Sequence, residues 1–547
     1  MSTAKTGATA FLRNVALPKW VIPLESVPAT SSEEPVVVRL AEVQYWRGAN
    51  PSYVVNRAVQ VNSTSRLSEV GQYSIPFFPA YQKLVLNRLA ILRDNQVLDR
   101  TKSANIRVLD SEVDANRGFY YGASTVQILM DDIKVGDTLW LVYTVEGNNP
   151  VFGGTWGEKL PWAKEHQVEL RKVTVLHPSN MPVQWRFAGP HRKGIAQPLV
   201  ETRNGITKIE FRESSLAAEE YEPSTPPNLI PFFLLDFSEY KDWTHVVKWA
   251  SALFLVSSVH SEVKTLARKF EAGTQEERAS KALHWTQDEI RYFSASMGEN
   301  SHRPQLPEVV LSRGFGDCKD KSQLLVALYR AMGLEAQPVL VNSGAPELPA
   351  QFLPSALSFN HVIVRVMLNG KPYFVDPTLQ FERGLISTLP TPLPSAAALV
   401  VANDSTNLIT LPAEVIEQAQ VERSEKMTIP TLNGEAQLHL RSEYRGHFAT
   451  SLRGAARSLS TSEFKKSLLE QFERSYPGIQ LEGAVSLSDA NDGASFVVEA
   501  NFSIPKVLKL ENGQYFLPQR SRVIEGTLGI PDKLTRKHPF WMAAGHY

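Results

Sequence analysis

From about Val36 to Pro190 the apolar positions come in short runs that suit strands and not helices. Residues 84–92 are apolar and end at Asp94-Asn95, a turn pair. Residues 138–145 follow Gly136-Asp137 and are rich in β-branched and aromatic side chains, and residues 166–176 read as a further strand. Short strands at this spacing, with turn residues between them, predict an antiparallel β-sandwich. Strand-like pieces continue from Gly189 to about Ser238 and take in a proline-rich linker at 222–227.

The pattern then changes period. Residues 243–259 and 261–271 have helical spacing, and Thr274 with Glu277 three residues on forms a capping box for a helix running to about Tyr292. A loop with Gly298, Pro304 and Pro307 leads to a short turn at 308–313. Beyond about Val400 alternation returns, at 435–444 after Asn433-Gly434 and at 495–504. One amphipathic helix, 462–475, interrupts it, with Phe464, Leu468, Leu469 and Phe472 on one face. The chain therefore divides into an arm (1–35), a β-sandwich (36–238), an α+β core (239–400) and a C-terminal β-rich domain with one helix (401–547). The fold class is multidomain, an α+β core flanked on both sides by antiparallel β-sandwich domains.

Length agrees with this division, since 547 residues exceed what one hydrophobic core organises. Fifty-seven basic residues balance 57 acidic ones, so no global field draws nucleic acid. The longest apolar run, 249–259, holds three serines and falls short of the ~20 residues of a membrane span. The first residues lack the apolar stretch of a secretory signal. That reads as cytoplasmic if the N-terminus is native, and as periplasmic or secreted if a signal has been removed. The aromatic-rich end, 540–547, reads like the middle of an element and so like part of a longer chain.

There is a single cysteine, Cys318, which excludes intramolecular disulfides and cysteine-based zinc sites. On composition alone a lone cysteine is a small buried hydrophobe, and its surroundings must decide otherwise. It lies in Arg313-Gly314-Phe315-Gly316-Asp317-Cys318-Lys319-Asp320-Lys321-Ser322, followed by Leu324, Leu325, Leu328, Ala331 and Met332 at helical spacing and stopped by Gly333. Asp317 as N-cap puts Cys318 in the first turn. There the helix dipole favours a thiolate, and free N–H groups can bind an oxyanion. Lys319 and Lys321 add positive charge, and the preceding glycines let backbone approach a substrate.

Some 43 residues later Phe359-Asn360-His361-Val362 opens an apolar run that turns at Asn369-Gly370 and returns to Tyr373-Phe374-Val375-Asp376-Pro377-Thr378. Asn-Gly between apolar runs is the strongest short-range hairpin signal. With those two as turn residues, Asp376 lies opposite Ile363 and shares a face with His361, diagonally across at roughly 7 Å. Singly, His361 is an ordinary half-buried strand histidine and Asp376 a turn residue before proline. Together they supply a base and an orienter for a cysteine nucleophile.

These three pieces, Gly-Asp-Cys-Lys-Asp-Lys, Phe-Asn-His-Val and Tyr-Phe-Val-Asp-Pro-Thr, resemble the bacterial transglutaminase-like superfamily over about 160 residues. An N-terminal β-sandwich domain of unknown function commonly precedes such cores. The resemblance implies a papain-like or transglutaminase-like core with Cys318 as nucleophile, His361 as base and Asp376 as orienter, no cofactor and no metal. It implies acyl transfer through a thioester on a peptide or protein amide; hydrolysis (protease or amidase) is favoured over crosslinking because nothing in the chain suggests an amine-acceptor site or a calcium switch. Gln305, Ser312 and Tyr292 are the candidates for a second oxyanion donor. The competing reading is a non-catalytic binding or scaffolding protein that keeps the fold. A metal-dependent hydrolase lacks support, because His260-Ser261-Glu262 has no partner ligands and no His-Glu-x-x-His occurs.

Overall fold

The computed structural model describes residues 7–541 except 95, 111–118, 163–164, 190–196, 220, 231, 255–258, 414–418, 474, 491–492 and 518–534. The end of the expected helix 243–259, residue 474 in the expected helix 462–475 and most of the aromatic terminus therefore lie outside the described residues.

The N-terminal part is built on a nine-stranded sheet that includes Val36–Trp46, Ser52–Val61, Lys83–Arg93, Thr138–Glu146, Val168–Pro178 and Ile206–Leu216. Side chains alternate on these strands. Val43, Tyr45, Val173 and Val175 enter one core with Phe77, Val126, Leu235 and Phe237 from two three-stranded sheets, which gives two packed layers. The large sheet is not wholly antiparallel. Val36–Trp46 pairs in parallel with Val168–Pro178, which only a long connection permits. Its second face presents buried polar groups, among them Glu42, Gln44, Asn56 and Lys172. The N-terminal segment satisfies them: the Ile22 amide donates to Gln44 at 3.1 Å, the Glu25 amide to Glu42 at 2.9 Å, and Lys172 pairs with Glu25 at 2.9 Å. This segment is thus a strap across the sheet and not a loose arm.

The α+β core follows. Its sheet runs in the order Lys371–Val375, His361–Leu368, Ala336–Val341, Ala397–Val400, Ile409–Thr410, antiparallel throughout. Leu324, Leu325 and Leu328 of the helix Cys318–Ala331 pack on Val364, Val366 and Val375 of the hairpin. The helix Gln275–Glu289 starts at the expected capping box but stops short of Tyr292. Ile290 is already extended, and Arg291–Tyr292 pairs as a short parallel strand with Phe315–Gly316.

After Val400 a four-stranded antiparallel sheet appears, Val421–Thr428, Ala436–Arg445, Ser495–Ile504, Gln480–Asp489, and Lys509–Glu511 pairs separately with Gln514–Phe516. Two helices accompany it, Gly446–Ser458 and Thr461–Glu473, where the sequence suggests one helix and a second sheet. Leu468 and Phe472 cover Leu438, Leu440 and Phe502, so the opposing layer is helical. The first of these helices escaped notice because its inward face is small, carrying Ala449, Leu452 and Ala456. Among the described residues, no helix is long and apolar enough to cross a membrane.

Candidate active site

Cys318 is the first residue of its helix and is half-buried. Asp317 caps the helix by accepting the Asp320 amide at 3.4 Å and is itself buried. The two lysines that follow do not leave free charge at the thiol. Lys319 pairs with Asp317. Lys321 is fully buried and donates to the carbonyls of Gln287 at 3.1 Å and Ile290 at 2.5 Å; burial pushes it down to about 8 although Asp376 and Asp288 oppose this. Lys321 thus ties off the end of the helix Gln275–Glu289 and so sets where Arg291–Tyr292 begins. Gly316 also has a packing role: a Cβ there would stand 2.6 Å from the Cβ of Asp320. Asp320 in turn accepts from Arg313 at 2.6 Å and from the Gln305 amide at 2.7 Å.

The hairpin has the register read from Asn369-Gly370. Leu368 pairs with Lys371 and Val364 with Val375, so Asp376 follows opposite Ile363. His361 Nε2 meets Asp376 Oδ2 at 2.7 Å. The other carboxylate oxygen accepts the Thr378 amide at 2.8 Å and hydroxyl at 2.7 Å, which orients Asp376 just before the chain leaves the sheet. With Nε2 committed to Asp376, Nδ1 is the nitrogen left to face the Cys318 thiol, which adds to the rise of the imidazole. Ser322 fixes the spacing of the two elements by donating to the Val362 carbonyl at 2.9 Å.

Burial disfavours an imidazolium, but the Asp376 charge and hydrogen bond, with Cys318 behind them, lift His361 to about 11. Burial likewise opposes ionisation of Asp376, yet His361 and Thr378 hold it below the ordinary carboxylate range. Both shifts favour the charged form of the pair.

Of the three candidate oxyanion donors, the structure brings one to the cysteine. The Tyr292 hydroxyl stands beside the thiol and backbone N–H of Cys318, and burial, then the neighbouring Cys318 and Asp317, push it far above its ordinary range. It is therefore a neutral donor beside the thiol and the first-turn amide. Gln305 lines a polar cleft with Asp317 and Lys319, its side chain bonded to Asn300 at 3.1 Å. Ser312 is exposed on the helix Pro307–Arg313. Gln287 was not anticipated: its Nε2 donates to the Asp376 carbonyl at 3.0 Å and to Glu382 at 2.6 Å. It sits 89 positions before Asp376, inside a helix, with no local signal.

A family model of the transglutaminase-like superfamily matches residues 264–377, the stretch that holds all three of these side chains. Residues 50–220 match a model described as a domain of unknown function (DUF3857). The chain thus carries a transglutaminase-like region at 264–377 with that domain at its N-terminal side. We found no match among curated proteins. A crystal structure from Parabacteroides distasonis, named as a candidate protease, superposes with a TM-score of 0.57 at 14% identity, covering 89% of this chain and 95% of that one. The fold is thus shared over nearly the whole length, flanking parts included. Another, named as a candidate cysteine protease from Cytophaga hutchinsonii, reaches a TM-score of only 0.19 at 11% identity, with 41% of this chain and 74% of that one covered.

Proposed function

We propose that the chain is a cysteine acyl-transfer enzyme that cleaves a peptide or protein amide through a thioester on Cys318. In this reading the Cys318 proton resides on His361, and the sulfur attacks the amide carbonyl. The carbonyl oxygen takes up charge beside the first-turn N–H and the Tyr292 hydroxyl. His361 then gives its proton to the leaving nitrogen as the C–N bond breaks. Water attacks the thioester, His361 accepts its proton, and a carboxylic acid and the free cysteine result. Asp376 stabilises the imidazolium throughout and holds its tautomer. Hydrolysis is preferred to amine transfer as the final step.

The observation that carries this reading is the line from Cys318 through His361 to Asp376, with Nε2 at 2.7 Å from the carboxylate and Cys318 at a helix start. The test is alkylation of the chain's single thiol by iodoacetamide near neutral pH. Cys318 should react faster than a free thiol, and His361→Ala should slow it by about a hundredfold. Ordinary thiol reactivity, indifferent to His361, would favour a scaffold that keeps the fold without the chemistry.

A further inference from the structure

A second cavity lies outside the catalytic constellation, where the N-terminal sheets meet the core. It measures about 350 Å³, at the lower end of small-ligand pockets. Its wall is largely aromatic, with Tyr45, Tyr53, Phe78, Tyr81, Phe152 and Trp156. Two charged side chains line it, Arg47 and Glu158. Arg47 is spent: it forms a two-pronged pair with Glu239, Nε to Oε1 at 2.9 Å and Nη2 to Oε2 at 3.1 Å, donates to the Gly154 carbonyl and lies 5.1 Å from the Trp156 ring centre.

Glu158 is not spent. It lies on the strand Gly157–Pro161, half-buried, and its Oε1 accepts the Lys159 amide at 3.2 Å. Among the described residues nothing hydrogen-bonds its Oε2. Its charge is felt at both Tyr45 and Tyr53, so the carboxylate stands among the wall rings. Tyr240 also lines the cavity, and its buried hydroxyl takes no partner among the described residues. Lys159 acts on this carboxylate only at a distance, and among the described residues Glu158 has no ion-pair partner, a costly arrangement in an aromatic wall. Burial accordingly pushes Glu158 up to about 7. An incoming cation would supply the missing charge, and ring faces bind ammonium groups well.

The cavity's position ties it to the catalytic site. Asn149, in its wall, donates to the Gly298 carbonyl at 3.0 Å and to Ser301 at 2.9 Å on the approach to the cysteine helix. Leu357, on the other side, lies four residues before His361. We propose that this cavity is a subsite for a primary ammonium group carried by a peptide, held by Glu158 and the surrounding rings. The ammonium comes from a lysine side chain or from a peptide N-terminus. Its role as a subsite rests on the acyl-transfer reading, whereas binding itself does not.

Calorimetric titration of the full-length Cys318→Ala chain separates the two, because no nucleophile is present. The probes are Nα-acetyl-lysine methylamide (side-chain ammonium), alanine methylamide (terminal ammonium) and the neutral Nα-acetyl-norleucine methylamide. One or both ammonium probes should bind and the neutral one should not; which ammonium binds identifies the source. Glu158→Gln in the same background should weaken binding by about tenfold or more. Should that variant fail to fold, Tyr53→Leu removes a wall ring and should weaken binding several-fold. No binding of either ammonium probe, equal binding of the neutral probe, or affinity unchanged by the pocket substitution overturns the proposal. Failure of the acyl-transfer reading would instead show in the alkylation of Cys318 in the unsubstituted chain.

Discussion

Replacing Asp376 by Asn keeps the side chain's size and its place before Pro377, but removes the charge that His361 meets at 2.7 Å. Once that charge is gone, burial is the leading influence left on the imidazole, and it disfavours the cation. Asp376 has a lowered folded value, so its contribution to stability is complete above its unfolded value of about 3.9 and is lost as pH falls through the folded one. His361 is raised, so its contribution is complete below 6.5 and is lost as pH rises towards about 11. The pair therefore stabilises most between about pH 4 and 6.5, where breaking it costs about 3–5 kcal/mol. At 1.36 kcal/mol per pH unit, about 3 kcal/mol of this is gone by pH 9. Hydrogen exchange read by mass spectrometry on peptides from His361–Leu368 and Lys371–Val375 resolves the local opening energy, which a global melt of several domains does not. The gap between wild type and Asp376→Asn should be about 3–5 kcal/mol at pH 5.5 and should shrink to about 0–2 kcal/mol at pH 9. A gap equal at both pH values, or wider at pH 9, refutes the ion pair.

Lys321→Met leaves the Gln287 and Ile290 carbonyls unpaired. It should speed exchange in peptides spanning 287–292 by an amount equal to about 1–3 kcal/mol, the burial cost of the ammonium offsetting part of the loss. Exchange there unchanged from wild type would remove Lys321 from the support of Tyr292. Tyr292→Phe deletes the hydroxyl beside Cys318 and should slow acylation by p-nitrophenyl acetate, followed as single-turnover nitrophenolate release, by about ten- to a hundredfold. Rates equal to wild type would leave the oxyanion to backbone amides alone. Gly316→Ala forces a Cβ to 2.6 Å from that of Asp320 and should lower the stability of the catalytic module by about 1–3 kcal/mol, seen as a shifted calorimetric transition.

What could be read from the sequence was what is local. The Asn369-Gly370 turn determines strand register, and register alone decides that His361 and Asp376 share a face. The Asp317 cap and the leucines behind it likewise place Cys318 at a helix start. Charge was misread where pairing is not local. Lys319 and Lys321 look like free cations along the chain, yet one meets Asp317 and the other reaches carbonyls more than thirty positions away. The strap reads as an arm along the chain because its partners, Glu42, Gln44 and Lys172, are polar residues on the second face of a distant sheet. Tyr292 was placed in a helix because the capping box fixes where that helix starts and nothing comparable marks its end. Its stop is imposed by Lys321 and by pairing with Phe315–Gly316.

The N-terminal strands are physically part of the construction around Cys318, His361 and Tyr292. Phe119–Tyr120 pairs with Ser294–Ala295, two residues beyond Tyr292, and the Ser296 amide donates to the Tyr120 carbonyl at 2.8 Å. The loop that delivers His361 is held from the same side: the Leu353 amide donates to Asp236 at 2.6 Å and Asn228 to Glu347 at 2.9 Å. Phe359 and Val362 share an apolar cluster with Val151 and Tyr240. The hydroxyl beside the cysteine and the base facing it thus both ride on segments braced by the β-rich part, while the cysteine rides on a helix packed within the core. A shift of the N-terminal part relative to the core would move Tyr292 and His361 against Cys318, and it would deform the Glu158 cavity, whose wall is drawn from both. On the proposed acyl-transfer reading, occupancy of that cavity and alignment of Cys318, His361 and Tyr292 are mechanically linked, a coupling that motif spacing within the core does not reveal.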